Sequence, residues 1–395
     1  MTHLHSNDCR SAPPAARLPP PRCLGEVQGG ATGPTVVFVC GLHGDEPAGL
    51  AAARSALRVL QYVRGALRGR VVFLAGNRQA LGLGTRFVRR DLNRGWTQRQ
   101  LERLRRLPAH EVGDEDQEQL ELADALRQLA QEQRGPLIVI DLHCSTMPSA
   151  PFVCFVDTLR NRRLAMALPM SAVLGLEEVI AGTLAGYCTA RGHVGISVDS
   201  GHGTAPEAVA RHMAAVILLI AASGGFPAGA VTSLHRLRAR LARVSRGVPA
   251  VVEVRQHHVI AAADGFRMLP GLTSFKPVDA GQAVAHDASG PIRAREAGLL
   301  LMPRDDGRSE DGFFVVREVK PIWLWVSKWL RRMGAARLLP LLPGIRQDPA
   351  LPRALRVDPR VALTCAAEVM HLCGYRRHPT SEARPMFSRT GLERY

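Results

Sequence analysis

The sequence predicts an α/β fold: a mostly parallel sheet flanked by helices, followed by a smaller β domain. Three observations predict it. Short apolar, β-branched runs alternate with helical segments between residues 35 and 222, and that alternation calls for crossover helices covering both faces of a sheet. After about residue 245 the helical pattern gives way to short strand-like runs separated by Gly, Pro and Asp turns. A chain of 395 residues with 46% hydrophobic and 22% charged content can bury a sizeable core without covalent staples.

Residues 1–30 are rich in Pro and small polar residues, show no apolar period, and are expected to form a disordered tail. Thr35-Val36-Val37-Phe38-Val39-Cys40 is the kind of run a buried strand uses. Residues 48–63 repeat Leu50, Leu57 and Leu60 at helical intervals, and Val71-Val72-Phe73-Leu74 reads as a second strand. Residues 115–133 form a helix charged outside with a Leu/Ala stripe inside. Leu137-Ile138-Val139-Ile140 is a third strand and 206–222 a further helix. These elements make an expected catalytic domain at 31–228. Val251-Val252-Glu253-Val254 and Phe313-Phe314-Val315-Val316 mark the β domain, expected at 245–320. Residues 321–395 are expected to be a basic helical extension. The tryptophans at its start are expected to pack on their own domain rather than on a membrane.

The chain carries 51 Lys and Arg against 35 Asp and Glu, a formal net charge of +16. Apart from Lys276, Lys320 and Lys328, these basic residues are all arginines, a bias that GC-rich codon usage imposes. No RNA-binding aromatic motif or zinc-finger spacing accompanies the charge, so no nucleic-acid partner is expected. Eight cysteines without a C-x-x-C pair read as reduced thiols, mostly core fillers. The N-terminal stretch lacks the apolar region of a signal peptide, and the apolar run from Met213 falls short of the roughly 20 residues of a spanning helix. The expectation is a cytoplasmic protein without a transmembrane segment.

The sharpest local feature follows the first strand, at Gly41-Leu42-His43-Gly44-Asp45-Glu46. His43 and Glu46 stand three residues apart near a helix start, where an imidazole and a carboxylate can reach one ion. The third strand continues Asp141-Leu142-His143, so Asp141 and His143 share a face at the C-terminal end where open α/β sheets place their sites. Two histidines and a glutamate form a three-ligand zinc set with a position left for water. Between these motifs lies Thr85-Arg86-Phe87-Val88-Arg89-Arg90-Asp91-Leu92-Asn93-Arg94. An amide beside a guanidinium suits planar recognition of a carboxylate, and an anionic substrate is the natural partner.

His43-x-x-Glu46, the Arg86 to Arg94 block and Asp141-Leu142-His143 together resemble the succinylglutamate desuccinylase/aspartoacylase family, within the wider zinc carboxypeptidase fold. The resemblance runs over roughly residues 35 to 320, because the stretches from Gly265 and from Asp311 also look like the β domain of bacterial members. It implies that His43, Glu46 and His143 bind one zinc ion per chain. It implies that Arg86 polarises the scissile carbonyl, and that Asn93 and Arg94 hold a substrate carboxylate. Arg191 stands about where the family has a further substrate-binding arginine, at a different spacing. The family's general base is a glutamate in a Glu-x-Gly setting, and the matching stretch here is Val198-Asp199-Ser200-Gly201. The carboxylate is therefore Asp199, one methylene shorter, with Glu207 nearby as an alternative and His202 as a wall residue. Residues 278–285 and 294–298 faintly resemble lipoyl-carrier modules, but no lysine occupies the turn between them and no covalent cofactor is expected.

The expected activity is hydrolysis of the amide bond of an N-acyl amino acid, or of a similar small acidic amide. Two alternatives stand beside it: a carboxypeptidase-like peptidase, which an added β domain would crowd, and a metal-binding homologue with little or no catalysis, which Asp199 favours. The histidines outside the set, His110, His235, His257, His258 and His378, read as surface or loop residues.

Overall fold

The computed structural model describes residues 18–227, 229–260, 265–304, 310–349, 351, 354–358, 366–377 and 386–388. Strands β1 (Cys23–Gln28) and β2 (Ala31–Cys40) come first, and helix α1 (Ala48–Tyr62) leads to β3 (Arg68–Ala75). Short helices α2 (Arg78–Leu83) and α3 (Gln98–Leu104) precede the long α4 (Asp114–Glu132), which returns the chain to β4 (Leu137–His143). Then follow β5 (Phe152–Phe155), α5 (Leu159–Ala165), β6 (Ser171–Leu174), α6 (Leu184–Ala190), β7 (Val194–Asp199), α7 (Ala205–Ala222) and α8 (Leu234–Val244). The expected strands and helices are all present, most of them a few residues longer.

β3, β2, β4 and β7 run parallel side by side, and β5 joins β7 antiparallel before a second parallel set, β5-β6-β8 (β8 is Val251–Val259). The centre of the sheet is covered on both sides. On β2, Val36, Phe38 and Cys40 enter one apolar cluster with α1 and α7 residues, whereas Val37 and Val39 enter another with α4 residues. This two-residue alternation, apolar on both faces, explains why the run reads as continuously hydrophobic. Helix α7 is long and apolar enough to cross a membrane by length and composition, contrary to the shorter apolar run expected there. It lies in the core, with Ala214 to Ile220 buried.

Three expectations about domain limits differ from the structure. The tail expected over 1–30 is outside the described residues only to residue 17. Beyond that, β1 pairs antiparallel with β3, and Arg22 donates to the Ala75 carbonyl at 2.6 Å. An edge strand leaves backbone groups open, and a short polar segment with one buried Val27 is enough to close them.

The β domain expected at 245–320 is not detached. Its strands are β9 (Arg267–Met268), β10 (Pro277–Val278), β11 (Ala283–Asp287), β12 (Gly290–Arg293), β13 (Gly298–Leu301) and β14 (Asp311–Glu318). Because β8 pairs with β6, the order β8-β14-β13-β10 continues the central sheet, and β12-β11-β9 form a separate three-stranded sheet.

The C-terminal extension is only partly helical. After α9 (Pro321–Arg332) come β15 (Ile345–Gln347), β16 (Ala354–Val357), α10 (Ala366–Leu372), β17 (Arg376–Arg377) and β18 (Met386–Ser388), the strands forming a small antiparallel sheet. Strands of two to four residues are too short to display a period. The tryptophans of α9 do not pack inward as expected: Trp323, Trp325 and Trp329 are 52%, 57% and 52% exposed.

The inward side of α9 is held by charge. Buried Asp157 accepts from Arg162 (Nε to Oδ1, 2.9 Å) and from Arg331 (Nη2 to Oδ2, 2.6 Å), and Arg376 bonds the same Oδ2. Burial pushes the Asp157 carboxyl up, but Arg331, Arg162 and Arg376 override it and hold it well below the usual carboxylate range. Asp157→Ala would strand three guanidiniums and is expected to cost about 3–5 kcal/mol, read from denaturant unfolding. Because the folded value is depressed, the stabilisation is complete above the unfolded value of about 3.9 and fades as pH falls below it. The melting temperature of the wild type should therefore drop more steeply below that pH than that of the variant.

Candidate active site

The loop after β2 turns at once, with Gly41 at φ +70°, and carries His43 and Glu46 to the C-terminal edge of the sheet. A Cβ on Gly44 would lie 2.1 Å from the Ala80 carbonyl carbon, so only glycine lets this loop lie against α2. β2 and β4 pair Cys40 with Leu142, and β4 and β7 pair His143 with Asp199. Register alone thus gathers the loop, His143 and Asp199 at one end of three neighbouring parallel strands.

His43 Nδ1 lies 2.8 Å from Glu46 Oε1, and His143 Nδ1 lies 3.1 Å from Glu46 Oε2. The other ring nitrogens face carboxylates: His43 Nε2 is 3.1 Å from Asp91 Oδ1, and His143 Nε2 is 2.6 Å from Asp141 Oδ2. A carboxylate there accepts from Nε2–H, which fixes the tautomer and turns the Nδ1 lone pair to the centre. Ligand atoms of the three residues lie within 4.8 Å of one another. Two imidazole nitrogens and a carboxylate brought this close can share one ion, so the donor set fits a divalent metal such as zinc. Burial opposes the charged form of Glu46, yet His43 and His143 hold its carboxyl well below the ordinary range. Burial likewise disfavours charge on His143, but Asp141 and Glu46 raise it well above the usual imidazole value.

Around this centre a cavity is lined by Arg86, Asn93, Arg94 and Asp199. Arg86 is buried, donates through Nη2 to Asp91 Oδ2 at 3.1 Å, has Nη1 3.6 Å from Glu46 Oε1, and among the described residues keeps Nε without a hydrogen-bond partner. Asn93 Oδ1 accepts from the Leu184 amide at 2.9 Å. Arg94 Nη2 donates to Asp311 Oδ2 at 2.5 Å. Asp199 Oδ1 accepts from Ser145 Oγ at 2.9 Å and from the Gly201 amide at 2.7 Å, and no protein donor reaches Oδ2 among the described residues. Burial and the nearby Glu46 raise its carboxyl above the ordinary value.

The remaining expected residues fall elsewhere. Arg191 ends α6 outside this cavity, its guanidinium 4.7 Å from the centre of the Tyr187 ring and donating to Gln98. Glu207 caps α7 through the Thr204 amide and hydroxyl and is exposed. His202 is not among the lining residues.

Other lining residues carried no signal in the sequence. Glu177 contributes a buried carboxyl with Oε2 unpartnered, pushed up to about 7 by burial against the pull of Arg376. Arg304 and Met302 come from the turn after β13, and Phe152, Phe155, Leu176, Ile180 and Phe314 form an apolar wall. His257, expected at the surface, lies in β8, where it stacks on Phe314 and bonds Asp311 Oδ1 at 2.8 Å. His378 lies outside the described residues.

Residues 32–209 match the model of the succinylglutamate desuccinylase/aspartoacylase catalytic domain. Over that span the chain is similar to the succinylglutamate desuccinylase/aspartoacylase family. No curated protein matches the chain by sequence. Among solved structures, a succinylglutamate desuccinylase/aspartoacylase from Rhodobacter sphaeroides is 19% identical with a TM-score of 0.54, covering 75% of this chain and 88% of that one. Succinylglutamate desuccinylase from Vibrio parahaemolyticus is 18% identical with a TM-score of 0.51, covering 73% and 82%. The ectoine utilization protein of Ruegeria pomeroyi, in a product-bound structure, is 18% identical with a TM-score of 0.53, covering 74% and 87%. At these identities the likeness establishes the fold, and it extends past the matched domain into the β segment.

The family loop makes one structural demand that can be checked directly. Gly44→Ala forces its methyl group onto the Ala80 backbone and is expected to destabilise the protein by about 1–3 kcal/mol, measured by chemical denaturation. An unchanged midpoint would mean that the loop and α2 part freely.

Proposed function

We propose that this protein is a zinc-dependent deacylase that hydrolyses the amide bond of an N-acyl amino acid or a similar small anionic amide. Both activities in the family's name are deacylations. The observation that carries the reading is the set His43, Glu46 and His143, each imidazole pinned through Nε2 by a carboxylate, in one cavity with Asp199 and Arg86. His43, Glu46 and His143 would hold the zinc. When bound, zinc acts as a Lewis acid toward a carbonyl and lowers the pKa of water to about 7.

The chain's own groups then have separate tasks. Asp199, anchored through Oδ1, takes a proton from the attacking water on its open Oδ2 and returns it to the departing amine nitrogen. A carboxyl raised by burial is better matched to that work near neutral pH than an exposed one. Arg86, whose Nη1 lies 3.6 Å from Glu46 Oε1, donates from Nε to the oxygen on which negative charge develops. Arg94, shared with Asp311, would meet the substrate carboxylate beside Asn93, whose amide is also held by the Leu184 N–H and lies 3.5 Å from Asp141 Oδ2, while Arg191, outside the cavity, is given no role. Met302, Arg304 and Phe314 wall the cavity from the β segment, which supports a small substrate over a peptide.

One observation favours a second reading, a metal-binding homologue with little catalysis. Asp199 is short, and its Oδ1 is already tied to Ser145 and Gly201. Misplacing a catalytic group by about 1 Å can cost ~10²-fold in rate.

Zinc content and turnover on a panel of N-acyl amino acids separate the two. The wild type should bind one zinc per chain and hydrolyse at least one amide, and His43→Ala should lose both. Asp199→Asn should keep its zinc and lose about 10²–10⁴-fold in kcat. Arg86→Gln should keep zinc and lose about 10²–10³-fold. Zinc without turnover in the wild type, with activity gained in Asp199→Glu, would establish the second reading. Absence of zinc binding would overturn both.

A further inference from the structure

We propose that the outer face of α9 and the turn after it form a docking surface for an anionic lipid bilayer. This inference is independent of the chemistry in the cavity. Trp323, Trp325 and Trp329 stand about half exposed, and Met333, Leu338 and Leu341 continue the surface at 74%, 62% and 78%. Large apolar side chains gathered in this way on a soluble surface mark an interaction site. The helix packs inward through buried Ser327 and Arg331 together with Leu324 and Leu330, and leaves the larger tryptophans outside.

That orientation is held in place. Ser327 Oγ donates to the Leu372 carbonyl at 2.8 Å, and Arg331 is clamped on Asp157 and on the His371 carbonyl at 3.0 Å. Turning the tryptophans inward would pull a buried guanidinium off its carboxylate, so the apolar face is preformed.

Charge selects the occupant. No Asp or Glu occurs between Glu318 and Asp348, and Asp348 is buried and paired with Arg356. Lys320, Lys328, Arg332, Arg337 and Arg346 are exposed in the same stretch. α8 shares the single sign of charge: Arg236, Arg238, Arg240 and Arg243 are exposed, and no acidic residue occurs between Glu207 and Glu253. Arg238 of α8 donates to the Ala167 carbonyl just beyond α5, and Arg162 of α5 donates to the Leu324 carbonyl of α9. Tryptophan belongs at the headgroup level, where its ring is buried and its N–H stays wet. Bases around an apolar face meet phosphate headgroups, as on interfacial helices. Tryptophan, methionine and arginine also suit a protein interface, so it is the single sign of the surrounding charge that points to anionic headgroups.

The test is co-sedimentation of the full chain with vesicles of phosphatidylcholine alone or mixed with phosphatidylglycerol, alongside tryptophan fluorescence. The fourth tryptophan, Trp96, is buried, so an emission shift reports on α9. The expected result is binding to the anionic vesicles with a blue shift, weakened at high salt. The triple variant Trp323→Ala/Trp325→Ala/Trp329→Ala should lose about tenfold or more in binding at an unchanged melting temperature, because these rings are not in the core. Lys320→Glu/Lys328→Glu should weaken binding to the anionic vesicles alone. No sedimentation with either vesicle would overturn the proposal, as would binding that survives the triple substitution. A dimer that falls apart in the triple variant, with no vesicle binding, would assign the face to a second copy. Binding to an oligonucleotide without binding to vesicles would assign it to nucleic acid.

Discussion

The parallel register that sets Cys40 beside Leu142 and His143 beside Asp199 determines where the chemistry of this chain is gathered. Parallel strands all deliver their C-terminal ends to one edge, so residues about a hundred positions apart arrive together without any local signal between them. The glycines of the loop after β2 complete the arrangement by letting His43 and Glu46 fold back over that edge. Everything else at the site is built against this fixed line: Asp91 and Arg86 brace His43 and Glu46 from one side, and Ser145 and Gly201 hold Asp199 on the other.

Two sets of buried charges have opposite characters. In the cavity, two imidazoles and a carboxylate converge in a donor set that fits a metal ion. Around Asp157, three guanidiniums converge on one carboxylate and the network closes on itself, joining α5, α9 and the C-terminal sheet. The first set leaves chemistry open and the second leaves none. The second nevertheless decides which side of α9 meets solvent, because a paired buried arginine costs more to remove than exposed tryptophan costs to keep.

Much of the fold was legible, since β2, β3 and β4 are buried on both faces and α4 carries a long charged and apolar stripe. Legibility failed where elements are short or where pairing is decided at a distance. β1 is polar and gains its place only from the open edge of β3. β15 to β18 are too brief for a period. The continuation of the central sheet through β8 rests on one parallel pairing with β6 that no local pattern announces. At the site, His43, Glu46, His143, Arg86, Asn93 and Arg94 stood out because they sit in compact motifs. Glu177 and Arg304 belong to ordinary turns and gained their place in the cavity only from packing.

The sequence by itself determined the α/β class, the order of the strands and helices, and the kinds of side chain available for metal and carboxylate chemistry, because these depend on local periodicity and on residues close in the chain. Only the tertiary structure decided that Arg191 and Glu207 stand apart from the cavity while Asp199 enters it. It also decided that Arg94 is shared with Asp311, and that the tryptophans of α9 face outward. Each of these follows from which distant groups satisfy one another's charge and hydrogen bonds, and that is settled only when the chain is folded.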